Sequence, residues 1–220
     1  MIAVETLEQI KARLEAALSG VTVDLWSNPA VVAQGALVVP PEHGLAVARW
    51  LREDAALALD FASNVTGVDW PDLVTQEKVK VTRVVEGEER VFEETLKKVR
   101  PGFLEVVYHL YSMRLKQGPV IIRLRTADRS ARVELPSLTP VWRGCELQER
   151  EVFDLFGVRF AGHPDLRRIL MWDGFQDYPM RKDYVEPDDY EYEPTPHDEV
   201  LEKAKAHYPP TVPKEADGPA

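Results

Sequence analysis

Between Trp142 and Asp183 the sequence reads WRGCELQEREVFDLFGVRFAGHPDLRRILMWDGFQDYPMRKD, and it gathers residue types that can do chemistry: Glu149, Glu151, Asp154 and His163, then Arg167 and Arg168. Carboxylates with an imidazole can build a metal site or an acid–base set. Adjacent guanidiniums can hold carboxylates in planar, two-pronged contacts. At about 100° per residue from Cys145, a helix places Cys145, Val152, Phe153 and Phe156 on one face with Leu155 at its flank, and Glu149 near the centre of that face. Glu151 and Asp154 point to the opposite side, three residues apart. Arg150 follows Glu146 by four, the favourable order for an intrahelical ion pair, and Gly157 marks the helix end. This geometry separates Glu149 from the other two carboxylates and argues against a shared metal or catalytic centre. A carboxylate inside an apolar stripe is costly unless paired or protonated. Glu149 is therefore expected to meet Arg167 or Arg168, or, if the helix is shorter or rotated, to snorkel to water. His163, set between Gly162 and Pro164, reads as a structural hydrogen-bonding group rather than a base or ligand.

The elements that must position this segment are legible in part. Leu7, Ile10, Leu14 and Leu18 recur at helical spacing, with Gly20 as the stop. Val21–Leu25 and Ala36–Val39 are short, β-branched and bounded by turn residues, as strands are. Pro40-Pro41 opens a second helix whose apolar stripe is Val47, Trp50, Leu51 and Ala55. Residues 79–85 alternate as a strand does, and Glu86-Gly87-Glu88-Glu89 suits a hairpin turn into Val91-Phe92. Phe103–Met113 is apolar on both faces, as a central strand is. Val120, Ile122 and Leu124 alternate with Arg123 and Arg125, as in a half-buried strand, with Lys116–Pro119 as the turn before them. The expected fold is α+β, sandwich-like: a mostly antiparallel sheet covered by two N-terminal helices, then the motif helix, then a long extended C-terminal arm. The expected domain limits are 1–160 for the globular part, with 74–100 as a charged hairpin insertion, and 161–220 for the arm.

Composition excludes several function classes. Cys145 is the single cysteine, so the chain alone builds no disulfide and no four-thiolate zinc or iron–sulfur site. With 27 Lys and Arg against 37 Asp and Glu, the chain repels phosphate unless a basic face compensates. The densest basic stretch, Arg123, Arg125, Arg129 and Arg132, reads as a solvated face, and no nucleic acid partner is expected. No apolar run approaches the roughly 20 residues of a membrane span. The first 18 residues carry Glu5, Glu8 and Glu15 and do not read as a signal peptide, so a soluble cytoplasmic protein is expected. Dinucleotide, P-loop, H-E-x-x-H and G-x-S-x-G signatures are all missing.

The last quarter changes character. Nine of the 17 prolines lie from Pro164 onward, and Asp183–Glu193 holds six acidic residues in eleven. Trp172, Phe175, Tyr178, Tyr184, Tyr190 and Tyr192 fall in the same stretch. Proline at this density prevents regular structure, while aromatic side chains on an extended chain need a surface to pack on. Two readings stand: a disordered acidic tail, or an arm that lies along a partner.

Glu149-Arg150-Glu151, Asp154, Leu155-Phe156, His163, Arg167 and Ile169-Leu170 together resemble the signature of the C-type peripheral-arm subunit of bacterial respiratory complex I, the proton-pumping NADH:quinone oxidoreductase. Leu138–Trp142, Pro179–Asp183 and the Phe103–Leu110 strand are also similar to that family, and residues 74–100 look like a lineage-specific hairpin. The resemblance implies a scaffold that carries no flavin, iron–sulfur cluster or catalytic residue, with the FMN and clusters held by other subunits. It implies contact with the quinone-site (D-type) subunit and neighbouring iron–sulfur subunits, and a peripheral place on the cytoplasmic face of the inner membrane. It makes Glu149, Arg150, Glu151, Asp154, His163, Arg167, Arg168, Arg181, Lys182 and Asp183 interface or folding residues. A homologous subunit of a membrane-bound hydrogenase, or of a dehydrogenase with another donor, is the alternative. An independent hydrolase using Glu151, Asp154 and His163 is the third reading.

Overall fold

A computed structural model of the chain describes residues 5–28, 34–85, 88–130 and 132–185. In chain order the elements are helix α1 (Leu7–Ala17), strands β1 (Asp24–Trp26) and β2 (Ala36–Val39), helix α2 (Gly44–Glu53), strands β3 (Phe61–Trp70), β4 (Leu73–Val85), β5 (Glu88–Arg100), β6 (Phe103–Ser112), β7 (Gln117–Arg125) and β8 (Glu134–Pro136), helix α3 (Cys145–Phe156) and strand β9 (Arg159–Ala161). Five strands form one sheet in the order β1-β2-β7-β6-β3. Within it only the β2–β7 pair is parallel; the rest are antiparallel. The fold is α+β, as the sequence predicts.

Period-two patterning sets which side of the sheet is covered. Leu104, Val106, Tyr108 and Leu110 of β6 and Val120, Ile122 and Leu124 of β7 point to one face. There they meet Ile10 and Leu14 of α1, Val47, Ala48 and Leu51 of α2, and Cys145, Val152 and Phe156 of α3. The opposite parity builds the second face: a small cluster of Ala36, Val107 and Ile121 with Trp26 and Val68. Thr6 and Gln9 close a capping box at the start of α1, which satisfies two otherwise orphaned N–H groups.

Several boundaries differ from the sequence reading. The first strand is Asp24–Trp26, shorter and later than Val21–Leu25, because Val21 and Val23 turn into the core before pairing begins. Pro41 opens a single 3-10 turn, Pro41–His43, and the α-helix starts only at Gly44. Strand β7 begins at Gln117, inside the stretch read as a turn. The alternation of β3 is broken by an irregularity between Ala62 and Asn64, which hides it from period-two reading. Of the predicted hairpin turn, Glu86 and Gly87 lie outside the described residues. The strands around it pair from Leu73↔Arg100 to Val85↔Glu88.

Candidate partner interface and its charge hub

Helix α3 packs on β3 and ends where a non-glycine residue would be strained: Gly157 has φ 79°, and a Cβ there would stand 2.6 Å from the Tyr178 ring. The helix is buried on two faces, not one. Its apolar face enters the core, and its outer face is covered by the turn of residues 163–171.

Glu149 sits on the core face, fully buried, and its partner is not an arginine. Its carboxylate accepts from the Leu138 N–H (2.8 Å), the Ser137 hydroxyl (2.6 Å), the Thr139 hydroxyl (3.2 Å) and the Tyr108 hydroxyl (3.2 Å). The expected pairing with Arg167 or Arg168 fails because those guanidiniums lie across the helix. The segment after β8 instead turns its polar groups inward to meet the carboxylate. Burial pushes the Glu149 carboxyl above its ordinary range, with the Ser137 and Leu138 donors opposing it. The same burial, with Glu149 beside them, pushes the Tyr108 hydroxyl and the Cys145 thiol upward.

Asp154 is the residue that takes the arginine. Arg168 donates to its Oδ1 at 2.6 Å, and the backbone N–H groups of Ile169, Leu170 and Met171 converge on its Oδ2 at 2.9, 2.6 and 2.9 Å. Three successive N–H groups around one oxygen form an anion nest. Burial alone would raise this carboxyl, but the three N–H groups and Arg168 outweigh it and hold it below the usual range. Asp154 does point away from the core, as the helical projection predicts, yet the turn covers it completely. Glu151 remains exposed.

Arg150 does not pair with Glu146. Its guanidinium reaches over the turn and donates to the carbonyls of Arg167 (3.2 Å) and Arg168 (3.3 Å), with the Asp165 carboxylate 3.7 Å away. Glu146 instead faces Arg143 at 3.8 Å. His163 accepts from the Asp165 N–H through Nδ1 (3.1 Å), which leaves Nε2 to donate to the Glu146 carbonyl (2.9 Å). The Arg167 side chain is exposed and bonds only Asp165 among the described residues.

The Pro179–Asp183 stretch folds back on the same hub. The Met180 N–H donates to the Leu155 carbonyl (3.1 Å), and Arg181 donates to the carbonyls of Phe156 (2.7 Å) and Arg129 (2.8 Å) with its guanidinium over Tyr178. The Lys182 N–H and Arg129 both bind the buried Asp69, and Arg129 also reaches Asp183 at 2.8 Å. Burial alone would raise Asp69; Arg129 and the Lys182 N–H overcome it and hold it low.

Sequence reasoning missed Asp69, Arg129 and a fourth buried carboxylate, Glu105. Arg123 and Arg125 each bond Glu105 at 2.7 Å, the Trp70 indole N–H donates at 3.0 Å, and Arg123 lies 3.6 Å over the Trp26 ring. The basic stretch is thus no solvated face: three of its arginines neutralise buried acids. The signal was present in β6, where Glu105 interrupts an apolar run as Glu149 does in α3, and the register sets Arg125 opposite Glu105.

Once these groups are satisfied, apolar and charged side chains both remain exposed around them. Leu147, Ile169, Leu170, Met180 and Val185 are exposed around the hub, beside Glu151 and Arg167. Among the described residues no three His, Cys, Asp or Glu side chains are placed to hold a metal ion. No described helix is long and apolar enough to cross a membrane.

Most of the signature charges are thus bonded within the chain itself, while Glu151 and Arg167 stay exposed. Residues 37–190 match the model of a family described as respiratory-chain NADH dehydrogenase, 30 Kd subunit, and the chain belongs to that family. The second C-type subunit of NADH-quinone oxidoreductase from Rhizobium etli (strain CIAT 652) is 40% identical over 146 residues, 66% of this chain and 62% of the relative. The counterpart in Rhizobium meliloti (strain 1021) is 40% identical over 149 residues, 68% of this chain and 65% of its own length. The chain therefore spans slightly less than two thirds of these relatives. The C/D-type subunit of NADH-quinone oxidoreductase from Phocaeicola vulgatus is 37% identical over 128 residues, 58% of this chain and 19% of that protein. A chain in the structure of the membrane-bound sulfane sulfur reductase, an archaeal respiratory membrane complex, shares the fold, with a TM-score of 0.54 at 20% identity over 98% of this chain and 97% of that one.

Proposed function

We propose that the chain is a non-catalytic scaffold subunit in the peripheral arm of a proton-pumping NADH:quinone oxidoreductase, where it supports the quinone-site (D-type) subunit. The assembly passes electrons from NADH to quinone. FMN and iron–sulfur clusters belong to its other subunits, and this chain meets the membrane only through the complex, at the cytoplasmic face. The observation that carries the reading is the use of the signature: Arg150, Asp154, His163 and Arg168 are spent on internal hydrogen bonds that shape the turn of residues 163–171, and Glu149 on bonds to the segment after β8 and to Tyr108. Groups so committed are poorly disposed for catalysis, and the exposed Leu170, Met180, Glu151 and Arg167 around them suit a protein partner. A relative named for both the C and the D types supports the D-type chain as that partner.

The test is affinity capture of the tagged full chain from gently solubilised membranes of its host. Recovery with flavin and iron–sulfur subunits and NADH:quinone activity is the expected result. Capture with cluster-bearing and membrane subunits but no NADH-oxidising module would assign the chain to a hydrogenase-type relative. Recovery alone in the cytosol would overturn the reading. Arg167→Ala adds a sharper check, since the side chain bonds only Asp165 in the described chain. It should leave the melting temperature of the isolated chain unchanged while lowering the yield of assembled complex more than its specific activity.

A further inference from the structure

The β4–β5 ribbon stands apart from the sheet. Strands β3 and β6 pair as far as Trp70 and Phe103, Pro71 and Pro101 interrupt them, and pairing resumes at Leu73 and Arg100 for 13 residues on each strand. At about 3.4 Å per residue the ribbon is roughly 40 Å long. Among the described residues it forms a separate two-stranded sheet. A lone hairpin is marginal in water, yet Leu73, Val74, Leu96 and Val99 at its root are all about half exposed, at 48–56%. Free strand edges with apolar side chains are a hazard unless something covers them.

The root is fixed in place by the hub. The Gly102 N–H donates to Asp72 (2.6 Å), and a Cβ on Gly102 would strike the Trp70 carbonyl and the Arg129 side chain. Arg129 is the residue that binds Asp69 and Asp183, and its carbonyl accepts from Arg181. The ribbon root and the Arg181–Asp183 stretch therefore share one anchor. Charge sets the ribbon apart as well. Residues 73–100 hold seven Lys and Arg against six acidic residues in a chain with 27 against 37, and the root, residues 73–80 and 95–100, sets five basic residues against Glu77 alone.

We infer that the ribbon is the second prong of a clamp. It lies against the same partner polypeptide as the exposed Val185, on a part of that partner's surface where apolar side chains are bordered by carboxylates. This rests on the proposed function for there being a partner at the arm, and not for which assembly the partner belongs to. The basic, apolar root matches such a surface in both polarity and charge, and covering it removes the exposed edge.

The experiment uses the full tagged chain in its native membranes, with a photo-crosslinking phenylalanine analogue placed at Leu96 or, separately, at Val185. Both positions are expected to cross-link to one and the same polypeptide, identified by mass spectrometry. Lys97→Glu combined with Lys98→Glu should cut the Leu96 product by about fivefold or more and leave the Val185 product within about twofold. A lipid adduct, a different polypeptide or no product from Leu96 would overturn the clamp. A shared polypeptide from an assembly without NADH oxidation would support the clamp while overturning the proposed function, so the two fail separately.

Discussion

Replacing Asp154 by alanine should release the turn of residues 163–171 from α3. Its carboxylate is wholly buried and accepts from Arg168 and from three consecutive N–H groups. Removing it leaves those N–H groups without their acceptor under a covered surface, and the Arg168 guanidinium with only the Asp154 and Asp177 carbonyls and no counter-charge. Breaking a buried charged pair in this way costs about 3–5 kcal/mol. For a chain of 220 residues, a loss of that size lowers the melting temperature by roughly 10 °C if the turn unfolds with the body. If the turn opens on its own, the cost appears as lost protection instead. Hydrogen exchange read on peptides covering residues 165–175, together with a thermal melt of the purified chain, separates these cases. Asp154→Asn should cost less, because its one remaining oxygen can still accept while its amide faces donors. Glu151→Ala, three residues away and exposed, should stay within about 0.5 kcal/mol. Unchanged exchange at Ile169–Met171 in Asp154→Ala, or a cost equal to that of Glu151→Ala, would refute the argument that the motif acid organises the turn.

Acid should act on the buried carboxylates with opposite signs. Asp69 and Asp154 are held below their ordinary values in the folded chain, so their contribution is complete above the unfolded carboxylate range and is lost as pH falls through their folded values. Glu149 is raised above 4.5, so the folded chain keeps that proton longer and its carboxylate lowers stability as pH rises past the unfolded value. Chemical denaturation from about pH 4.5 to 8 should therefore show Glu149→Gln improving relative to the native chain as pH rises; a constant or falling difference would count against the buried-acid assignment. Gly157→Ala should cost about 1–2 kcal/mol, because a Cβ at φ 79° is strained and meets Tyr178. Near-ultraviolet circular dichroism should report the displaced tyrosine, and a silent substitution would mean that helix α3 ends differently.

Much of this molecule is written in local patterns. The helical spacing of Ile10 and Leu14 and the period-two runs of β6 and β7 gave helices and central strands, because each follows from one element's own periodicity, while the motif from Glu149 to Leu170 pointed to the family by resemblance. The same patterns located the buried acid Glu149 within its apolar stripe. They could not name its partners. Ser137 and Thr139 lie in the segment after β8 and Tyr108 on β6, and a hydroxyl carries no periodic signal that it will face a carboxylate. The pairing of Asp154 with Arg168, of Asp69 with Arg129, and of Glu105 with Arg123 and Arg125 was equally out of reach, since each joins residues 14 to 60 positions apart. A helical projection ranks faces by angle alone, so it separated Asp154 from the core but could not know that the turn of residues 163–171 would cover it. Sequence by itself determined the strongly periodic helices and central strands and the motif that marks the family, but not β3, β8 or β9. Tertiary structure alone decided which charges are consumed within the chain and which are left for a partner, because burial depends on what distant segments lay over each element.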